Sequence, residues 1–140
     1  GSDYSIANAT ITAPYYSYAS TPQDFPQWLN WSPTPTAGTM TLSSITDTVY
    51  KFMIIGKTAF VEMAATFTTG GTATATIFFA TPTAAVGFPA LSAHVNSSGF
   101  VAGAVYVTGG NTFGIRKYDS SNWSLAAGNY FRSEGFYRLA

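Results

Sequence analysis

Apolar and polar residues alternate with a period of two through most of the chain from residue 39 to residue 139. In the segment 58–69, for example, small or apolar residues occupy every second position from Ala59 to Phe67. This period is typical of a β-strand with one face in a core, because successive side chains of a strand point to opposite faces. Apolar residues at helical spacing do not persist for more than one turn. The pattern therefore predicts an all-β, antiparallel fold without a helix longer than two turns.

Glycine-containing turns divide this pattern into strands. Gly56-Lys57 and Gly70-Gly71 separate three runs rich in β-branched and aromatic residues, which predicts a meander joined by two tight hairpins. The three runs are Thr48–Ile55, Thr58–Thr69 and Thr72–Ala80; the other predicted strands are Met40–Ile45, Leu91–Val95, Phe100–Thr108, Thr112–Tyr118 and Tyr130–Leu139. Residues 81–90 are predicted to be a crossover loop and residues 119–129 a polar loop. About eight strands at this spacing are typical of a β-sandwich, here with a jelly-roll-like arrangement.

The alternation also predicts which side chains form the core. In the run 48–55 it assigns Val49 and Met53 to the interior, and in the last strand it assigns Phe131 and Tyr137. The predicted core residues are Val49, Met53, Val61, Met63, Phe67, Ile77, Phe79, Val105, Val107, Phe131 and Tyr137.

The first 36 residues differ in composition from the rest. They hold five of the seven prolines together with many aromatic residues. Proline disfavours both helices and central strands, and so many aromatic rings are not typical of disorder. We expect residues 1–36 to form an extended arm that packs on the body or on a neighbouring subunit, with residues 5–12 as a candidate edge strand. Residues 37–140 form the predicted sandwich domain. Gly1-Ser2 is typical of an expression scar, which predicts a domain taken from a longer protein, without a signal peptide.

The length and the low charge of the chain exclude several classes of function. A length of 140 residues fits one domain. Only 9% of residues are charged, and the formal net charge is zero. Such a chain has no basic surface for nucleic acid or for an anionic membrane, and its apolar runs are too short for a membrane span. A surface with so few charges suggests that part of it is covered by further copies of the chain.

Residues for catalysis or metal binding are scarce. The chain has no cysteine and a single histidine, His94, so a zinc site, a disulfide and a cysteine nucleophile are not expected. The strand carboxylates Glu62 and Glu134 could face one groove, as glycoside hydrolysis requires, but ion pairs with nearby Lys and Arg are the more ordinary interpretation. We therefore predict no catalytic residues, no metal and no cofactor.

The tryptophans are the best candidates for ligand binding, because they lie outside the alternating strands. Trp28 and Trp31 belong to the arm, and Trp123 stands in the polar loop beside Asp119 and Asn122. An indole offers a flat apolar face to a sugar ring, and polar neighbours can bind its hydroxyl groups. These five residues are the predicted glycan-binding set, with Trp123 at its centre. Alternatively, the tryptophans plug the ends of the sandwich or lie in a subunit interface. Weaker candidates are His94 and Asn96.

Three short motifs follow one another along residues 28–140: Trp31-Ser32-Pro33, the hairpin from Tyr50 to Lys57, and the final Gly135-Phe136-Tyr137. This order resembles the C-terminal β-sandwich domains of bacteriophage tail fibres and tailspikes and of related prophage structural proteins. The resemblance implies a homotrimer on a fibre axis, located in the virion and folded in the bacterial cytoplasm. It also implies attachment to a host cell-surface glycan or a role in trimer folding, and no shared catalytic set.

Two other functions fit the same sequence. One is a carbohydrate-binding module of a secreted enzyme, which would fold in the same way without forming trimers. The other is a structural virion or adhesin domain that has no ligand of its own.

Overall fold

A computed structural model describes residues 28–139, apart from the side chains of residues 87 and 88, and all the regular elements in this range are β-strands. The strands are β1 (Leu29–Asn30), β2 (Met40–Ile55), β3 (Thr58–Gly71), β4 (Thr76–Ala80), β5 (Ala85–Asn96), β6 (Phe100–Thr108), β7 (Thr112–Lys117) and β8 (Asn129–Leu139). They pair antiparallel in the order β1-β2-β3-β8-β5-β6-β7-β4. The predicted all-β antiparallel class is confirmed. The candidate edge strand at residues 5–12 lies outside the described residues.

The sheet curves until its two edges come together. Thr36, between β1 and β2, exchanges two backbone hydrogen bonds with Phe78 of β4, with N–O distances of 2.8 and 2.7 Å. Nearby, the Trp31 indole N–H donates to the carbonyl oxygen of Ala80, at 3.0 Å. The described part of the predicted arm therefore packs on the body of the domain.

Aromatic rings fill the space inside the curved sheet. Phe79 of β4 stacks on Phe131 of β8, with centroids 5.5 Å apart and planes 10° apart. Phe79 also contacts Phe113 of β7, and Phe131 contacts Phe67 of β3. The two halves of the sheet thus meet face to face, and each buried ring contributes roughly 1.5–3 kcal/mol of hydrophobic free energy. This packing fits a sandwich; the jelly-roll-like arrangement stays a prediction.

Most of the predicted core is confirmed. The residues that are buried are Val61, Met63, Phe67, Ile77, Phe79, Phe131 and Tyr137. Val105 and Val107 are partly buried and pack against them.

The predicted phase of β2 is wrong. The residues that pack against the core are Tyr50, Phe52 and Ile54, whereas Val49 lines a groove on the outer face. The cause is the pairing with β3, in which Tyr50 lies opposite Met63 and Phe52 opposite Val61. Residues that are paired across a sheet share a face, so the buried positions of β3 determine those of β2. Val49 and Met53 therefore point outward.

The two strands predicted at 40–45 and 48–55 are one long strand with two irregularities. The pairing of β2 with β3 shifts between Ser43 and Thr46, and again between Thr46 and Val49. Ser44 and Asp47 lie in these irregularities, each with φ near 50°. A shift of one residue exchanges the inward and outward faces of a strand, and a second shift reverses the exchange. Both ends of β2 therefore direct even-numbered side chains inward.

The predicted meander is only half correct. Ile55 pairs with Thr58 around Gly56-Lys57, which confirms the first hairpin. Gly70-Gly71 does not begin a second hairpin, because β4 pairs with β7 at the far edge of the sheet. The predicted crossover loop at 81–90 is also shorter, since β5 begins at Ala85. β8 pairs with β3 on one side and with β5 on the other. Three strands that are distant in sequence therefore lie side by side.

Candidate functional site

Trp123 lies in the core and not on the surface. Only 1% of its surface is exposed, and its ring packs against Phe67 with centroids 5.5 Å apart. Its backbone N–H donates to the carbonyl oxygen of Thr74, at 2.9 Å. An enclosed indole has no free face for a sugar ring, so the structure contradicts the expected stacking role of Trp123. The position of Trp123 agrees instead with the alternative prediction that the tryptophans plug the ends of the sandwich.

Hydrogen bonds hold the segment around Trp123 against the strands. The Thr69 hydroxyl donates to the carbonyl oxygen of Ser124 at 2.6 Å, and the Asn129 amide donates to the same oxygen at 2.8 Å. Ser97 accepts a hydrogen bond from the Ser124 N–H at 2.7 Å. Thr69, Asn129 and Ser97 are themselves buried, which explains why a loop of polar composition can carry a tryptophan into the core.

Asp119 and Asn122 are exposed, and both take part in local contacts. The Asp119 carboxylate accepts hydrogen bonds from the backbone N–H and hydroxyl group of Ser121, and these bonds lower the pKa of Asp119. The Lys117 ammonium donates to the backbone oxygen of Asn122 at 2.6 Å. These contacts stabilise the loop. Because the ring of Trp123 is buried, Asp119, Asn122 and Trp123 do not form one exposed site.

The two tryptophans of the arm differ in exposure. Trp31 packs edge-on against Tyr50 and Phe52, with centroids 5.5 and 6.1 Å away, so it is mainly a packing residue. Trp28 is 45% exposed and lines a hollow together with Phe60 and Phe136. Of the three tryptophans predicted to bind a glycan, Trp28 alone is exposed.

The hollow beside Trp28 is one end of a groove on the outer face of β3, β8 and β5. Glu62 of β3 lies opposite Glu134 of β8, and Glu134 lies opposite Ser92 of β5. These three side chains border two adjoining hollows of about 250 and 540 Å³. We call the two together the outer groove. Its apolar end contains Trp28 and Phe136, and its polar end contains His94 and Arg132.

The polar end combines hydrogen-bonding groups with aromatic rings. Arg132 and His94 are register partners, and both line the smaller hollow. The His94 ring lies 4.8 Å from the ring of Phe100, which is 65% exposed. The Arg132 guanidinium lies over Tyr130, 5.4 Å from the ring centroid. Aromatic faces, donors and acceptors therefore lie within one small area.

The two carboxylates at the middle of the outer groove are directly opposed across β3 and β8. Like charges in this position repel each other, and such a pair destabilises a sheet by a few tenths of a kcal/mol or more. Lys51 of β2 is the register partner of Glu62 on its other side, and Ser92 of β5 is the partner of Glu134. Lys51, Glu62, Glu134 and Ser92 thus form one row across four strands. The two carboxylates can accept hydrogen bonds, and the Lys51 ammonium and the Ser92 hydroxyl can donate them, which suits a ligand rich in hydroxyl groups.

Sequence reasoning found only part of the outer groove. The alternation in β3 and β8 places Glu62 and Glu134 on the outer face, and His94 is one of the weaker candidates that the sequence indicates. The contributions of Arg132, Phe100 and Phe136 were missed, because β8 meets β3 and β5 through pairings that no local turn indicates.

Among residues 28–139, no three His, Cys, Asp or Glu side chains converge in a way that would hold a metal ion. The same range contains no helix of the length and hydrophobicity needed to cross a membrane. Comparison of the chain with protein-family models, curated proteins and solved structures finds no match.

Proposed function

We propose that this chain is a non-catalytic receptor-binding domain that attaches a phage tail fibre or tailspike to a host cell-surface glycan through the polar end of the outer groove. The observation that carries this proposal is the arrangement of His94, Arg132 and Glu134 beside the exposed ring of Phe100. The fibre setting, the homotrimer and the virion location rest on the sequence motifs and on the low charge.

The groove has the chemistry that a saccharide requires. The apolar C–H face of a pyranose ring packs on an aromatic side chain, which Phe100 offers at the surface. Sugar hydroxyl groups both donate and accept hydrogen bonds. Glu62 and Glu134 supply acceptors, and Arg132 supplies donors. Because both signs of charge are present, the groove favours a saccharide with little net charge.

A binding role suits the carboxylates better than hydrolysis does. Glycoside hydrolysis needs one carboxyl group that is kept protonated and a second that is ionised, and different environments produce this difference. Glu62 and Glu134 are both exposed and lie in the same row of the sheet. We therefore assign both to hydrogen bonding with the ligand.

Binding to a panel of purified bacterial surface polysaccharides tests this proposal. Arg132→Ala and Phe100→Ala should each weaken binding at least tenfold, because they remove a charged donor and a stacking face. Asp119→Ala and Asn122→Ala are the matched controls on the loop and should bind like the wild type.

Each contrary result has a defined meaning. Loss of binding in the loop variants alone would move the site to the loop. A folded wild type that binds no polysaccharide would favour the structural virion or adhesin domain. Release of reducing sugar that Glu134→Gln abolishes would show an enzyme. A binding monomer would favour the carbohydrate-binding module.

A further inference from the structure

Exposed hydrophobic side chains are concentrated at one corner of the outer face. Among the described residues, eight large hydrophobic side chains are exposed, and four of them lie at this corner. They are Trp28, Ile55, Val86 and Phe136, each between 45% and 52% exposed. We call these four residues the apolar corner.

The strand register explains why these residues lie together. Ile55 pairs with Thr58, Thr58 with Arg138, and Arg138 with Val86, which forms the outermost row of β2, β3, β8 and β5. In the next row Phe60 pairs with Phe136, with ring centroids 5.9 Å apart, and Trp28 lines the same hollow. The corner thus occupies two adjacent rows on one face of four strands, together with the residue that precedes β1, and Thr58 and Arg138 stand between Ile55 and Val86.

Exposed hydrophobic side chains clustered in this way are uncommon on soluble monomers, whereas isolated ones are ordinary. The chain has little charged surface to offset it, since only 9% of its residues are charged. A protein partner that covers the corner would bury these side chains, and the charges around it indicate which partner fits.

The corner has charges of opposite sign on its two sides. The row on one side contains Glu62, Glu134 and Lys51 and is negative in sum, and Arg138 lies in the outermost row on the other. In a ring of three copies, as the proposed homotrimer would form, one side of each copy meets the other side of the next copy. Neighbouring copies would therefore bring Arg138 close to the two opposed carboxylates.

We propose that the apolar corner is the surface on which a second copy of this chain packs, with Arg138 of the second copy beside Glu62 and Glu134. The contact buries Trp28 and Phe136 and relieves the repulsion between the carboxylates. It also adds a cation from the neighbouring copy at the boundary of the two ends of the outer groove.

This inference rests on the assembly in the proposed function and names the face that forms it. Its test uses no saccharide, so its failure is distinguishable from a failure of glycan binding. Light scattering of the full chain at tens of micromolar should give three times the single-chain mass of 14.8 kDa. Phe136→Ser should reduce the mass to that of one chain, whereas Phe100→Ser, a matched change at the other end of the same face, should leave it unchanged.

Several results would overturn the proposal. A wild-type monomer would do so, and would mean that the corner is covered by another part of the chain, by a different partner or by nothing. A Phe136→Ser variant that keeps the wild-type mass would also do so. Thermal unfolding checks that each variant is folded, and Val86→Ser, which changes an exposed side chain, decides the result if Phe136→Ser does not fold.

A charge exchange tests the predicted contact. Glu134→Arg should shift the assembly towards the single-chain mass, because it places like charges together. Glu134→Arg combined with Arg138→Glu should restore the wild-type mass, since the two sides remain opposite in charge. If the double variant stays as dissociated as the single one, Arg138 does not meet Glu134 across the contact.

Discussion

At the scale of single residues, two core tyrosines differ in what their hydroxyl groups contact. The Tyr137 hydroxyl donates to the carbonyl oxygen of Thr83 at 3.1 Å and lies 3.0 Å from the Thr83 hydroxyl. The Tyr50 hydroxyl is buried and has no hydrogen-bond partner among residues 28–139. A buried polar group without a partner keeps its full desolvation cost.

Tyr50→Phe should therefore raise the free energy of unfolding by about 1 kcal/mol, because it removes an unsatisfied hydroxyl group and keeps the ring. Tyr137→Phe, the matched change, should lower it by about 1 kcal/mol, because it removes hydrogen bonds to Thr83. Urea denaturation measures both values. Equal losses in the two variants would contradict the different environments of the two hydroxyl groups.

Burial also raises the pKa of Tyr50 from 10.0 to about 12. In the unfolded chain this group ionises at lower pH than in the folded chain. Its contribution to stability is therefore fully present below pH 10 and is lost as the pH rises towards 12. Melting temperatures measured across this interval should fall more steeply for the wild type than for Tyr50→Phe. Parallel curves would show that Tyr50 does not titrate in this way.

Gly135 is needed for a close approach of two strands. It has φ of 153°, and an added Cβ would collide with the carbonyl oxygen of Ala90 and lie 2.6 Å from the Cα of Leu91. Gly135→Ala should therefore lower the stability by about 3 kcal/mol or more. Gly99 has φ of 145° with nothing within 4 Å of its Cβ position. Gly99→Ala should cost only about 1–2 kcal/mol, and a similar loss in both variants would exclude the clash.

At the scale of elements, β2 shows what a period-two pattern cannot specify. The pattern indicates that residues 40–55 are extended, but the interior face depends on pairing with β3 and on the shifts near Ser44 and Asp47. The turn at Gly56-Lys57 was predictable because its signal is local. The positions of β4 and β5 were not, since β4 pairs with β7 and β5 with β8.

The irregularities in β2 lead to a prediction about stability. Ser44 has φ of 50°, a conformation that costs a non-glycine residue roughly 1 kcal/mol or more. Ser44→Gly should therefore raise the melting temperature slightly or leave it unchanged. Thr41→Gly, at an exposed position of β2 that is regularly paired with Gly70, should lower the stability by about 1 kcal/mol. If the two variants are destabilised equally, Ser44 does not occupy an irregularity.

At the scale of the whole molecule, the candidate site depends on strand order. Alternation alone places Glu62 and Glu134 on an outer face. Their direct opposition, and the position of Arg132 beside His94, follow from β8 lying between β3 and β5. The misassigned Trp123 has the same origin, because a polar loop does not reveal that it folds back over the core.

Trp123 therefore supports the whole fold. Trp123→Ala should lower the free energy of unfolding by about 3–5 kcal/mol, because it leaves a large cavity beside Phe67. Trp28→Ala, at an exposed indole, should change the stability of the isolated chain little. Chemical denaturation at low protein concentration separates these effects from assembly. If Trp123→Ala is as stable as the wild type, Trp123 does not support the core and is again a candidate for contact with the ligand.

The short segment before β2 protects both edges of the sheet at once. Leu29 and Asn30 pair with β2, and Thr36 pairs with β4, so a few residues cover edge strands that would otherwise expose unpaired backbone groups. Exposed edges recruit strands from other molecules. Proteolysis between Asn30 and Thr36 would allow β1 to separate from β2 while Thr36 stays paired with β4, so it would uncover the edge of β2. The cleaved chain should therefore form aggregates that bind amyloid-specific dyes while much of its core is still folded.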